Sequence, residues 1–285
     1  TSMGVFSEKT SPRLTRIRAL QWLEKRSNFE QLPADHDYKT AFTLTRMRAL
    51  LGAIGNPQSQ FPSAHLAGTK GKGSTAAMLA AIMQAAGYRV GCYLSPHVNR
   101  IEERICVAGK QISSPDLLAA FRTVIPAVEK LDQKASRKKM PGPTWFEVLT
   151  AVAFTHFKQT QVDLAVIETG LGGRLDATNL CNPVVSIITN ISLDHTDVLG
   201  NTIRAIATEK AGIIRRGIPV ISTAIHPDAF RVVVDKARAQ RTKLFVVNRD
   251  FTINQVTNTK PSSPHQTTLY SFEIQAPPGS QSTVY

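Results

Sequence analysis

Between residues 65 and 247 short, continuously apolar runs alternate with longer stretches at helical spacing, and that alternation restricts the fold more than any other feature. The apolar runs fall at 65–67, 90–94, 162–167, 184–188, 218–222 and 243–247, and the helical patterns at 75–86, 115–131, 145–158, 202–214 and 227–239. A strand that is apolar at successive positions is buried on both faces, which happens when helices cover both sides of a parallel sheet. The expected fold is therefore α/β, with a mostly parallel central sheet flanked by helices. Two amphipathic helices precede it, one over 13–25 with Leu14, Ile17, Leu20 and Leu23 on one face, the other over 42–54 with Phe42, Leu44, Met47, Leu51 and Ile54. From Asp250 the texture changes to short clusters, Phe251, Ile253 and Val256, then Leu269, Tyr270, Phe272 and Ile274, which indicate a small antiparallel β appendage over about 250–278 behind a core of about 1–249. Residues 279–283 resemble a linker, Thr1 and Ser2 before Met3 resemble a cloning remnant, and no internal repeat is visible.

Composition narrows the class. With 42% hydrophobic and 19% charged residues in 285, the chain can build a core, which excludes disorder. No apolar stretch reaches the roughly 18 residues a membrane helix needs, and the polar start over 1–11 lacks a signal-peptide core, so no membrane association is expected. Cys92, Cys106 and Cys181 are odd in number and lack metal or redox spacing, so buried thiols in a reducing, cytoplasmic compartment are expected. The balance of 34 Lys and Arg against 21 Asp and Glu, +13, favours anionic partners. The cluster at 134–139 reads as a solvated loop, and without an aromatic-interleaved basic stripe nucleic acid is not an expected partner.

Chemistry concentrates in three places. Gly68, Thr69, Lys70, Gly71, Lys72, Gly73 and Ser74 lie between a short strand and a helix, the context of a P-loop. Glycines there turn amides toward phosphate oxygens, the helix N-terminus adds positive potential, Lys72 reaches the β and γ phosphates, and a hydroxyl can hold magnesium. A glycine between Lys72 and Ser74 departs from the common pattern. Glu168 ends an apolar run and precedes Gly170, Gly172, Gly173, Arg174 and Asp176. A carboxylate at a strand's carboxyl end can hold magnesium opposite the P-loop hydroxyl, or simply cap a turn. Asp194 and His195 follow another strand toward the same sheet edge, where the three groups could share divalent ions. By spacing alone Lys210 reads as a surface charge, and the arginines of the loop 95–104 could meet either an anionic substrate or solvent.

Together these residues resemble the folylpolyglutamate synthase and dihydrofolate synthase family, within the Mur-type ATP-dependent amide ligases. The likeness is carried by HLAGTKGKGS at 65–74, YLSPHVNRIEERI at 93–105, TWFEVLTAVAF at 144–154, ETGLGGRLDATN at 168–179, and TNISLDHTDVLG with IATEKAGI across 189–213. It implies a Mur-ligase-like domain in which ATP activates a carboxylate to an acyl phosphate and the amino group of L-glutamate attacks it, with folate or dihydropteroate as acceptor. By the same likeness Ser74, Ser95, Glu168 and His195 supply ligands around two Mg2+ ions, and Lys210 is carbamylated and joins them. Lys72, Lys210 and His195 are the implied catalytic residues. Arg100, Arg104, Thr144, Phe146, Arg174, Asp176 and Ala177 form the pterin and pteroate pocket. Lys70 stands where many relatives carry asparagine. Longer members carry a second, Rossmann-like C-terminal domain, so the chain is expected to be an N-terminal ATPase domain and a monomer that binds nucleotide weakly and ligates poorly. The alternatives are another Mur-type amino-acid ligase and a noncatalytic nucleotide- or nucleic-acid-binding domain.

Overall fold

The computed structural model describes residues 14–29, 42–259 and 269–275. The features expected at 1–11 and 279–283 lie outside the described residues.

In chain order the elements are α1 (Arg16–Glu24), α2 (Leu44–Ala53), β1 (Ser63–Ala67), α3 (Lys72–Ala85), β2 (Val90–Tyr93), β3 (Ile105–Val107), β4 (Lys110–Gln111), α4 (Ser114–Arg137) and α5 (Trp145–Gln159). Then follow β5 (Leu164–Glu168), β6 (Pro183–Ile188), α6 (Thr196–Leu199), α7 (Ile203–Lys210), β7 (Val220–Ser222), α8 (Pro227–Ala239), β8 (Leu244–Val246), β9 (Thr252–Thr259) and β10 (Leu269–Gln275). Eight strands form one sheet in the order β4-β3-β2-β5-β1-β6-β7-β8. The β1–β6, β6–β7 and β7–β8 pairs are parallel, while β2–β3 and β3–β4 are antiparallel. β9 and β10 form a separate antiparallel pair near the C-terminus, as the change of texture after Asp250 implied.

The chain divides into two compact units. The first comprises the chain up to Pro62, Ala77–Val166 and Leu180–Asn182. In it, α4 opens with Ser113 as N-cap and buries Leu117, Ala120, Phe121, Val124, Ala127 and Val128, a stripe at helical spacing. α5 is buried along most of its length and starts with a capping box, Thr144 and Glu147 each bonding the other's backbone N–H. Gly91 in β2 lets this helix approach, since a Cβ there would sit 2.8 Å from the Phe157 ring.

The second unit comprises Ser63–Ala76, Ile167–Asn179 and the chain from Pro183 onward. Its core joins Ala67, Ile188, Ile206, Ala207, Ile213, Val220 and Val233, drawn from β1, β6, β7, the helices α7 and α8 and the turn after α7. β1 is buried at all five positions, so the segment after it leaves from a rigid base.

Four details depart from the sequence reading, the first being that α4 runs on to Arg137, so residues 134–137 of the basic cluster read as a loop form the last turn of a helix. The antiparallel strands β3 and β4 were not expected: at three and two residues they are too short for periodicity to reveal. α3 begins at Lys72, three residues early, because Gly71 at φ 81° makes the turn. The helix expected over 202–214 stops at Lys210 and tightens into a 3-10 turn over Ala211–Ile213.

Candidate functional site

The loop from Gly68 to Gly71 is tied to the segment after β6. Thr69 N–H donates to the Asn190 carbonyl at 2.8 Å, Lys70 N–H to the Asn190 side chain at 3.0 Å, and the Thr189 hydroxyl to the Lys70 carbonyl at 2.9 Å. Thr69 exchanges bonds of 3.1 Å with the backbone of Ser192 through its hydroxyl. Gly68 is required by contact, because a Cβ there would lie 1.8 Å from the Thr189 hydroxyl oxygen. The loop delivers Lys72 and Ser74 to the first turn of α3, where helix N–H groups carry partial positive charge.

Glu168 closes β5 and is 3% exposed. Its carboxylate lies 3.7 Å from the Lys72 ammonium, and a Cβ on Gly73 would come within 3.3 Å of it. Glycine at 73 thus keeps the helix start close to the carboxylate. Lys210, at the end of α7, is 4% exposed and donates from Nζ to the Gly68 carbonyl at 2.7 Å. The surface-charge reading of Lys210 is therefore corrected: tertiary packing of α7 turns it inward against the phosphate loop.

Burial, then the Lys72 charge, push the Lys210 amine down from 10.5 to about 8, while Asp194 and Asp176 act the other way. The folded state then holds fewer protons than the unfolded chain between about 8 and 10.5. Stability should therefore climb with pH across that window, with the penalty fully present below it. Lys210→Met should flatten this component of the slope, measured by urea unfolding at several pH values. An unchanged slope would refute the burial of a charged Lys210.

His195 caps α6 at φ 47° and is exposed, its ring nitrogen 3.9 Å from Asp194 and its N–H bonded to the same carboxylate. Ser74 is exposed, and half-buried Ser95 belongs to the first unit. Among the described residues no group of three or more His, Cys, Asp or Glu side chains could hold a metal ion. Magnesium typically takes one or two carboxylates and completes its shell with phosphate oxygens and water. One buried carboxylate, Glu168, beside a phosphate-type loop and a hydroxyl fits that donor set for one ion.

The segment after Glu168 packs backbone to backbone against the end of α7. Arg174 N–H donates to the Glu209 carbonyl at 2.8 Å, and the Arg174 guanidinium pairs with the Glu209 carboxylate at 2.8 Å. Asp176 is 5% exposed, and its carboxylate accepts from the amides of Leu171 and Thr178. Burial pushes this carboxyl up, and those donors pull the other way. Ala177, also buried, starts the 3-10 turn Ala177–Leu180. Here Asp176 and Ala177 set the loop's shape.

In the first unit each of the remaining expected positions bonds or packs against neighbouring residues. Arg104, 2% exposed, donates from Nε to His97 Nδ1 at 2.8 Å and lies 4.8 Å over the Trp145 ring. Arg100 is exposed and reaches Glu102 at 3.4 Å. Thr144 caps α5, and half-buried Phe146 lies 6.0 Å from the Tyr93 ring. Sequence reasoning assigned no role to Glu102 or Glu103. Glu102 is buried and bound twice by Arg16, at 2.6 and 3.0 Å; burial would raise its carboxyl, but Arg16, a backbone N–H and Arg100 together outweigh burial and hold it at about 2. Glu103 gathers the amides of Val98, Asn99 and Arg100. An acidic residue three to five positions after those amides was the available signal. Asn190 and Thr189 were passed over because nothing local marks a strand-end residue as the clamp of a distant loop.

The phosphate-type loop, the strand-end glutamate and the buried lysine thus lie together, and the Mur ligase middle domain family model matches residues 143–276. The folylpolyglutamate synthase of Lacticaseibacillus casei is 44% identical over 208 residues, 73% of this chain and 48% of that protein. The dihydrofolate synthase/folylpolyglutamate synthase of Bacillus subtilis is 41% identical over 220 residues, 77% of this chain and 48% of that protein. Among solved structures, an FPGS complex with AMPPCP and folate matches with a TM-score of 0.78 at 36% identity, covering 92% of this chain and 60% of that one. The chain belongs to the folylpolyglutamate synthase/dihydrofolate synthase family. It spans about half the length of the curated relatives it matches.

Proposed function

We propose that the chain is the nucleotide-binding part of an ATP-dependent ligase that adds L-glutamate to folates and to dihydropteroate. The observation that carries this reading is the grouping of Lys72, Glu168 and Lys210 around the Gly68–Ser74 loop, in a family whose relatives bear those names. In this reading the loop amides and Lys72 hold the β and γ phosphates of ATP. The acceptor carboxylate attacks the γ phosphorus and ADP leaves, and the glutamate amine then attacks the acyl phosphate, expelling phosphate and losing a proton. Lys72 offsets charge on the transferring group. Magnesium, bound by Ser74 and Glu168, would neutralise phosphate charge.

A second ion would draw on Ser95, His195 and a carbamate on Lys210. Only the neutral amine reacts with carbon dioxide, and the lowered pKa of Lys210 favours that form. Thr69, Lys70, Gly71 and Gly73 complete the nucleotide loop. Family likeness implies roles in acceptor recognition for Arg100, Arg104, Thr144 and Phe146 of the first unit and for Arg174, Asp176 and Ala177 of the second. Nucleic acid and membrane are not expected partners, and a cytoplasmic monomer is the expected state.

Calorimetric titration of MgATP, followed by dihydropteroate, folate and a UDP-linked sugar peptide, tests the assignment. The expected result is magnesium-dependent ATP binding and a response to the pteroate ligands alone. Binding of the sugar peptide instead would move the chain to another Mur-type activity, and a steep salt dependence with nucleic acid in place of ATP binding would overturn the ligase reading.

A further inference from the structure

A short chain of hydrogen bonds runs from the loop after β5 to the strand that feeds the phosphate loop. The Asp176 carboxylate accepts from the amides of Leu171 and Thr178 at 2.9 Å each and from the Thr178 hydroxyl at 2.5 Å. The Thr178 oxygen lies 2.9 Å from Nε2 of His65, in the middle of β1. His65 and Thr178 are fully buried. Nothing in the ligase chemistry uses His65.

The proton directions follow from the groups involved. While Asp176 is ionised it only accepts, so the single hydroxyl proton of Thr178 points to Asp176. The Thr178 oxygen can then only accept from His65, which makes Nε2 the protonated ring nitrogen. Burial, and secondarily the Arg215 charge, push the imidazole down to about 3, so it is neutral. Nδ1 is left as a bare, buried lone pair without a hydrogen-bond partner. A histidine that leaves one nitrogen unsatisfied in the core spends its one bond on Thr178, and an apolar side chain would fill the site at less cost unless that bond matters.

We propose that His65 is a positioning residue: by donating to Thr178 it orients the hydroxyl that holds the Asp176 carboxylate, and so couples β1, three residues before Gly68, to the loop that carries Arg174 and Asp176. The part of this that concerns the acceptor rests on the ligase reading above; the coupling itself does not. The bond lies within one compact unit, and the neighbouring backbone supports it, since Thr169 N–H donates to the Leu66 carbonyl at 2.9 Å.

Nitrogen-15 NMR of the histidine ring and amide hydrogen exchange test the coupling without any ligand. The Nε2–H tautomer is expected. His65→Met and Thr178→Val should speed exchange at the Leu171 and Thr178 amides by about tenfold relative to amides of β6, a local opening rather than global unfolding. His65→Gln, whose amide offers a donor near Nε2, should recover most of that protection, which a merely space-filling role would not produce. An Nδ1–H tautomer, unchanged exchange in both His65→Met and Thr178→Val, or a His65→Gln variant no better than His65→Met would overturn the proposal.

Dihydropteroate titration then tests the acceptor part separately. Weakening by about tenfold in Thr178→Val, with MgATP affinity unchanged, would support it. A wild-type chain that binds MgATP but no pteroate ligand would sink the acceptor reading and leave the exchange result to decide the coupling.

Discussion

Lys72→Ala should weaken MgATP binding by about a hundredfold. An ammonium bonded to phosphate oxygens contributes about 1.5–3 kcal/mol per charge-assisted bond, and two such bonds lost reach that scale at about 1.4 kcal/mol per tenfold. Lysine at 72 has a second task, since it stands 3.7 Å from the Glu168 carboxylate, which is almost entirely buried. Removing it takes a cation away from that buried carboxylate, so Lys72→Ala should also lower stability, and Glu168→Gln combined with Lys72→Ala should recover part of the loss. Glu168→Gln by itself should weaken ATP binding in magnesium far more than without it, because a neutral amide is a poor magnesium ligand. Calorimetry with and without magnesium separates these effects. Affinity within threefold of wild type for Lys72→Ala would remove Lys72 from the phosphate site.

Gly212→Ala should destabilise the fold by about 3 kcal/mol or more, at the upper end for a small overpacking change. A Cβ at this position would lie 2.3 Å from Arg174 Cβ, 2.4 Å from its Cα and 2.8 Å from its N. These are backbone or backbone-fixed atoms, so no rotamer can relieve the contact. The same seam is seen from the other side at Gly173, where a Cβ would meet the Glu209 and Lys210 carbonyl oxygens at 2.9 Å each. Because Lys210 ends the helix that makes this seam, forcing it apart should also move the lysine from the Gly68 carbonyl and weaken nucleotide binding. Gly52→Ala is the natural control: it lies in α2 with open space around it, and alanine there should stabilise by about 0.5–1 kcal/mol. Urea unfolding of the three proteins gives the comparison, and a loss under 1 kcal/mol in Gly212→Ala would show that the seam yields.

Much of the fold was legible because buried parallel strands leave an uninterrupted apolar record. The runs at 184–188 and 218–222 became β6 and β7 with ends shifted by two residues or fewer. The phosphate-type loop was legible for a local reason, since glycines, lysines and a hydroxyl in one turn need no distant partner to be recognised. The short antiparallel strands β3 and β4 left no such record, and neither did the β2–β3 pairing that sets Cys92 opposite Cys106. Sequence spacing of 14 residues carries no information about a register that the turn between them decides.

The side chains around the loop divide along the same line. The residue types at 68–74 and the strand-end position of Glu168 could be read directly, since backbone chemistry within a few residues dictates what glycine, lysine and a terminal carboxylate can do. That Lys210 lies buried against Gly68, that Asn190 clamps the loop, and that His65 reaches Asp176 through Thr178 were decided by tertiary packing alone. Each joins residues more than 100 positions apart. Their hydrogen bonds exist only after the sheet has brought its strands side by side, and burial then gives an ordinary lysine or histidine a lowered pKa and a fixed partner.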